Sequence, residues 1–166
     1  MKINYYGFRA IYLHEMDRFR RTLLQSLVSP VLSTSLYFIV FGSVIGNYVQ
    51  NIDGISYGSY IVPGLIMLTL LTQSISNTSF GIFFPKFNGS IYEILAAPIS
   101  TFEMVLAFVG AGATKTMIIG AVIFLTSMYF VEVSVLHPFL MIFLLILVSF
   151  TFALFGFLIG LMSSNF

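Results

Sequence analysis

Two serine–glutamate pairs, Ser90 with Glu93 and Ser100 with Glu103, share a three-residue spacing within one stretch of the chain. That spacing serves helix starts. The hydroxyl accepts from a free amide of the first turn while the carboxylate reaches back to the cap amide. Between the pairs, Pro98 disfavours a helical Ala97. The segment therefore predicts a short helix over about residues 91–97, a break, and a second helix from about Thr101. So short a helix is marginal alone in water, and the membrane surface, the bundle or a partner protein must hold it. Two readings of its apolar residues Ile91, Tyr92, Ile94 and Leu95 stay open: a docking knob, or a plain interfacial connector.

Other groups able to do chemistry are sparse. Gln73 and Asn77 lie in an apolar stretch whose second half also carries Thr69, Thr72, Ser74, Ser76, Thr78 and Ser79. Such groups face other helices or a cavity, so they are either packing glue, the favoured reading, or the wall of a polar translocation path. Lys115 is the sole charge well inside an apolar stretch. Residues 116–131 supply about 24 Å of helix, which favours Lys115 snorkelling to the inner headgroups while residues 101–114 run near the interface. The alternative is a buried cation facing the bundle interior and touching an anionic substrate or a carboxylate. His137 has no second His or Cys nearby, which leaves a metal site without support. There is no cysteine, hence no disulfide, thiolate metal site or cysteine nucleophile. No G-x-x-x-x-G-K-S/T phosphate loop and no Ser-His-Asp set appears. The chain reads as no enzyme and calls for no cofactor.

The elements that hold these groups are membrane spans. Hydrophobic residues make up 58% of the chain, charged residues 8%, and mean hydropathy is +1.02; a water-facing domain carries roughly 25% charged residues. Apolar stretches run over about residues 23–45, 60–84, 105–131 and 136–162, each long enough for about 30 Å of hydrocarbon. The fold expected is an all-α polytopic bundle of four spans forming a single transmembrane domain. Lys2, Arg9, Arg18, Arg20 and Arg21 precede the first stretch and Lys86 follows the second, while the loops around Asp53 and Glu132 hold no Lys or Arg. Cytoplasmic loops retain Lys and Arg, so both termini are expected in the cytoplasm. A net charge of +1 is too small for a nucleic-acid surface, and the N-terminal cluster suits anionic lipid. A cleavable signal peptide is not expected, because the first apolar run begins only at Leu23 and lacks a small-residue cleavage pattern.

Upstream, Tyr5, Phe8, Tyr12, Met16 and Phe19 recur at helical spacing, predicting an amphipathic helix over about residues 4–21. It lies in the headgroup plane or packs its stripe on protein. Pro30 is expected to kink the first span, Asp53-Gly54 to turn the outer loop, Tyr48, Tyr57 and Tyr60 to form an outer aromatic belt, and Pro63 to sit in the first turn of the second span.

Taken together, Phe19-Arg20-Arg21, Phe41-Gly42, Val62-Pro63-Gly64 and, above all, Tyr92-Glu93-Ile94-Leu95-Ala96-Ala97-Pro98-Ile99-Ser100 resemble an ABC-2 type ABC transporter permease, the integral-membrane subunit of bacterial exporters. The resemblance implies that Ile91, Tyr92, Glu93, Ile94, Leu95, Ala96 and Ala97 form a coupling helix that docks a separate ATP-binding subunit, with Tyr92, Glu93 and Leu95 the main contacts. It implies that the N-terminal helix also meets that subunit, that a second permease copy completes the transporter, and that the polar face of the second span borders the substrate route. Gln73, Asn77 and Lys115 are the candidate path residues. The location implied is the bacterial inner membrane. Members of that family have six spans, so the four here read as a permease truncated after the fourth. The other functional class is a non-transporting four-span scaffold or accessory protein.

Overall fold

The computed structural model describes residues 4–45, 51–52, 55–131 and 135–163, and for residues 42–45, 51–52 and 55–56 the backbone alone. Lys2, Tyr48, the Asp53-Gly54 turn and Glu132 lie outside the described residues.

The described residues form, in order, the α-helices α1 (Tyr5–Arg21), α2 (Leu23–Tyr37), α3 (Tyr57–Phe87), α4 (Ile91–Ala96), α5 (Thr101–Phe130) and α6 (Pro138–Met162). A π-helical segment, Phe38–Ile45, continues α2, and two-residue strands pair antiparallel with Asn51 opposite Ser56 and Ile52 opposite Ile55. Among the described residues, four helical stretches are long and apolar enough to cross a membrane: Leu23–Phe41, Tyr57–Phe87, Thr101–Phe130 and Pro138–Met162.

Contacts at the helix ends set an up-and-down arrangement. Phe38 at the end of α2 stacks on Phe130 at the end of α5, and Val131 approaches Gly58 at the start of α3. At the opposite end, Lys86 donates to the carbonyls of Gly160, Leu161 and Ser163, so the ends of α3 and α6 lie together. This second end also holds α1, α4 and the start of α5.

Helix α5 is the hub. Of its apolar window 56% is buried, against 17–28% in the other three spans, because Ala107, Ala111, Gly112, Ala113, Thr116 and Gly120 keep its surface small enough for neighbours to close in. Helix α3 buries Val62, Ile66, Leu70, Ser74, Thr78 and Ile82, one residue per turn, between α5 and α6. Helix α6 answers with Ser149, Ala153, Gly156 and Gly160. A Cβ on Gly156 would lie 2.5 Å from the Ile75 carbonyl oxygen, so the two backbones touch there. Ser74 donates to the Ser149 carbonyl at 2.6 Å. This G-x-x-x-G approach is the lipid-phase packing that small residues permit.

Two local expectations differ. Helix α3 starts at Tyr57, so Pro63 lies inside the helix rather than in its first turn. Residues 101–114 do not form a separate interfacial piece; they continue into the rest of α5 as one helix. Pro30 sits within α2, where Thr34 donates back to the Pro30 carbonyl at 2.7 Å.

Candidate functional site

The site begins where α3 ends. Asn88 closes the last turn of α3, and Gly89 follows at φ 76°, a left-handed backbone that favours glycine. The chain drops at once into α4, with the Tyr92 amide donating to the Gly89 carbonyl. Ser90 is already helical at φ −65° and ψ −13°, and its side chain makes no cap bond. The first capping box expected from sequence is therefore absent: a cap residue is non-helical, and Ser90, following the left-handed Gly89, is already helical. Helix α4 ends at Ala96, and Ala97 turns extended at ψ 149°, as a residue before proline should.

Helix α4 has two faces. Ile91 and Ile94 are half-buried and pack against the core around Phe108 and Phe157. Tyr92, Glu93, Leu95 and Ala96 are exposed, Tyr92 at 73% and Leu95 at 58%. None of its residues is fully buried. A cavity of about 410 Å³ runs along one side beside Lys86 and Phe157, and another of about 260 Å³ along the other beside His14 and Glu15. A six-residue helix with a cleft on each flank is held by two isoleucines, so local displacement costs little.

The second capping box is formed. Ser100 is extended, its Oγ accepts from the Glu103 amide at 3.3 Å, and Glu103 Oε2 accepts from the Ser100 amide at 2.9 Å. Glu103 does more than cap. Its Oε1 accepts from the Asn4 amide at 2.6 Å, and the Asn4 side chain donates to the Pro98 carbonyl at 3.0 Å. Gly7 completes the junction: a Cβ there would sit 2.6 Å from the Ile99 side chain.

Further along α1, Tyr12 donates to Thr114 at 3.0 Å. Next comes a buried ionic cluster. Glu15 Oε2 accepts from Lys115 Nζ at 2.7 Å and from Arg18 Nη2 at 3.0 Å. Glu15 and Lys115 are each 2% exposed. Lys115 therefore does not snorkel to the interface; a carboxylate beside it makes burial tolerable. Helix α1 packs on protein, but along the line Ile11, Glu15 and Phe19 and not along the aromatic stripe expected from sequence.

Glu15 was not legible as a site residue. The buried line of α1 is Ile11, Glu15 and Phe19, while Phe8, Tyr12 and Met16 are half-buried and Tyr5 is exposed. Reading the acid as polar turned the inferred apolar face by about one position. The available signal was one carboxylate in register with Ile11 and Phe19, set against one cation within a span.

Gln73 and Asn77 are half-buried on α3, one position behind the buried Ser74 and Thr78. Ser74 and Thr78 act as packing groups, the latter against Gly112. Asn77 Nδ2 and Thr78 Oγ1 are buried without a hydrogen-bond partner. Lys115 is committed to Glu15 instead.

Comparison with known proteins adds the following. The family model described as ABC-2 type transporter matches residues 6–166. The inner membrane transport permease YadH of Escherichia coli strain K12 is 35% identical over 167 residues, a match covering 100% of this chain and 65% of that protein. Proteins of the same name from Escherichia coli O157:H7 and Shigella flexneri match to the same extent. The chain thus spans 65% of the length of these curated relatives. No solved structure matches it.

Proposed function

This chain belongs to the ABC-2 type transporter family, and from that premise we propose that it is the membrane-spanning part of an ATP-driven exporter in the bacterial inner membrane. ATP is hydrolysed by a separate subunit, which docks on α4 and on the adjoining part of α1. A second copy of the permease supplies the other half of the pathway. Tyr92, Glu93 and Leu95 are the contacts on α4. Gln73 and Asn77 border the substrate route, with the unpartnered Asn77 Nδ2 as its polar edge. Both termini face the cytoplasm, with the arginines of α1 against anionic headgroups.

The observation that carries this reading is the outer face of α4. An exposed tyrosine and leucine on a helix this short, flanked by clefts and tethered through an extended break, suit a part that a partner grips and moves. Its test is co-purification in mild detergent from cells that also express the ATPase subunit, identified by mass spectrometry through its phosphate loop. The wild-type chain is expected to retain that subunit, and Leu95→Asp to lose most of it. Leu95 is exposed, so the variant should keep its fold, checked by its melting temperature. Undiminished retention by a folded Leu95→Asp variant would sink the docking assignment.

A further inference from the structure

Helix α1 and the first half of α5 are fastened together at matched levels. Asn4 meets Glu103, Tyr12 meets Thr114 and Glu15 meets Lys115, at chain separations of 99, 102 and 100 residues. A nearly constant separation means that the two helices run parallel and in register. From Asn4 to Glu15 is about 16 Å of helix and from Glu103 to Lys115 about 18 Å, at about 1.5 Å per residue.

These fastenings differ in what they would tolerate. Ile11 and Phe19 of α1 are apolar, and a shift of one turn would still leave them on apolar surface. The Glu15–Lys115 pair would not survive it. Sliding by about 5.4 Å would leave the buried Lys115 without its partner, while Glu15 would keep only Arg18 of its own helix; stranding a buried charge is the costly way to break a buried pair. The pair therefore sets the register.

It also grips α5 and not α3. Towards α3 it meets Gly81 by van der Waals approach alone, where a Cβ would sit 3.4 Å from Glu15 Oε2, and the second carboxylate oxygen, Oε1, takes no hydrogen bond. At its far end α1 is separated from α2 by Thr22, at φ −106° and ψ 15°. At its near end, Asn4 holds Pro98 and Glu103, on either side of Ile99 and Ser100. A displacement entering at the break after α4 thus reaches α1 and α5 together.

We propose that α1 and the first half of α5 move as one lever, and that Glu15 and Lys115 are the positioning residues that make them one. The lever carries the movement started at α4 into the most buried of the described spans. This inference rests on the function proposed above, and it adds to it the joint that links the docking end to the membrane interior.

The chain contains no cysteine, so spin labels can be placed at will. One pair, on Leu13→Cys and Leu106→Cys, reports α1 against α5 and needs no partner. Both positions are exposed. The double variant Glu15→Leu/Lys115→Met removes both charges while keeping apolar bulk, which avoids a lone buried charge. Its α1–α5 distance distribution is expected to broaden, whereas Lys115→Arg, which keeps the cation, stays narrow. A double variant as narrow as the wild type overturns the joint, and so does a Lys115→Arg variant as broad as the double.

A second pair, on exposed Leu68→Cys and Leu125→Cys, reports the spans in the complex with the ATPase subunit. Nucleotide is expected to shift that distance in the wild type and in Lys115→Arg. In the double variant the shift should be lost while the ATPase subunit stays bound. A persistent shift in the double variant overturns the lever. Failure of the wild-type chain to retain any ATPase subunit strikes the proposed function instead, and takes the lever's coupling role with it.

Discussion

Gly156→Ala tests how α6 is held against α3. The added Cβ would lie 2.5 Å from the Ile75 carbonyl oxygen, 2.8 Å from Ile75 Cα and 3.0 Å from Ile75 C. All three are backbone atoms of a span, so no flexible side chain yields. Ordinary contact begins at 3.4 Å, which leaves α6 about 0.9 Å too close. Backing away by that amount would stretch the Ser74–Ser149 hydrogen bond, now 2.6 Å, to the limit of useful geometry. Overpacking costs about 1–3 kcal/mol and the weakened bond about 0.5–1.5 kcal/mol. Alanine returns about 1 kcal/mol through helix propensity, so the net loss should be about 0.5–3.5 kcal/mol. The assay is unfolding by sodium dodecyl sulfate in mixed micelles, followed by circular dichroism, with Gly64→Ala alongside. Gly64 has nothing within 4 Å of a built Cβ, so that variant should be unchanged or slightly more stable. A Gly156→Ala variant as stable as Gly64→Ala would refute the close-packing argument.

Two further outcomes follow from single contacts. Ser100→Ala removes the hydroxyl that accepts from the Glu103 amide and should cost about 0.5–2 kcal/mol. Faster hydrogen exchange confined to the first turn of α5 and to Asn4 would check it, and unchanged exchange there would contradict it. Lys86→Met takes three hydrogen bonds from the last carbonyls of α6 and also a cation from that helix end, worth about 0.3–1 kcal/mol by dipole alone. The last turn of α6 should exchange faster, with α5 unaffected.

The second capping box was legible because everything it needs lies within four residues: an extended Ser100 following Pro98, then Glu103 three positions on. The first box, Ser90 with Glu93, follows the same pattern and did not form. There the chain turns left-handed at Gly89 and Ser90 is already helical, so it cannot act as the non-helical cap the box requires. Pro63 shows the same limit at a helix start, since pattern alone did not place the beginning of α3 at Tyr57. The small residues of α6 could have been read as a packing face from Gly156 and Gly160, but not which helix they would meet.

Hydropathy, span length and the one-sided placement of Lys and Arg are local sums, so the sequence alone determined that this is an all-α membrane bundle with four long apolar helices and a short helix between the second and third. The motif around Tyr92–Ser100 likewise named the family before any contact was known. Tertiary structure decided which atoms meet. Glu15 and Lys115 stand 100 residues apart, and although each is a charge on a line of apolar residues, neither neighbourhood says that the two meet. A lone cation in a span is compatible with snorkelling or with a buried partner, and the two differ only in where another helix lies. Once α1 packs in register on α5, a carboxylate is present and burial is the outcome. Energies that depend on which helices touch cannot be read from one helix at a time, and that is why the joint emerged only from the fold.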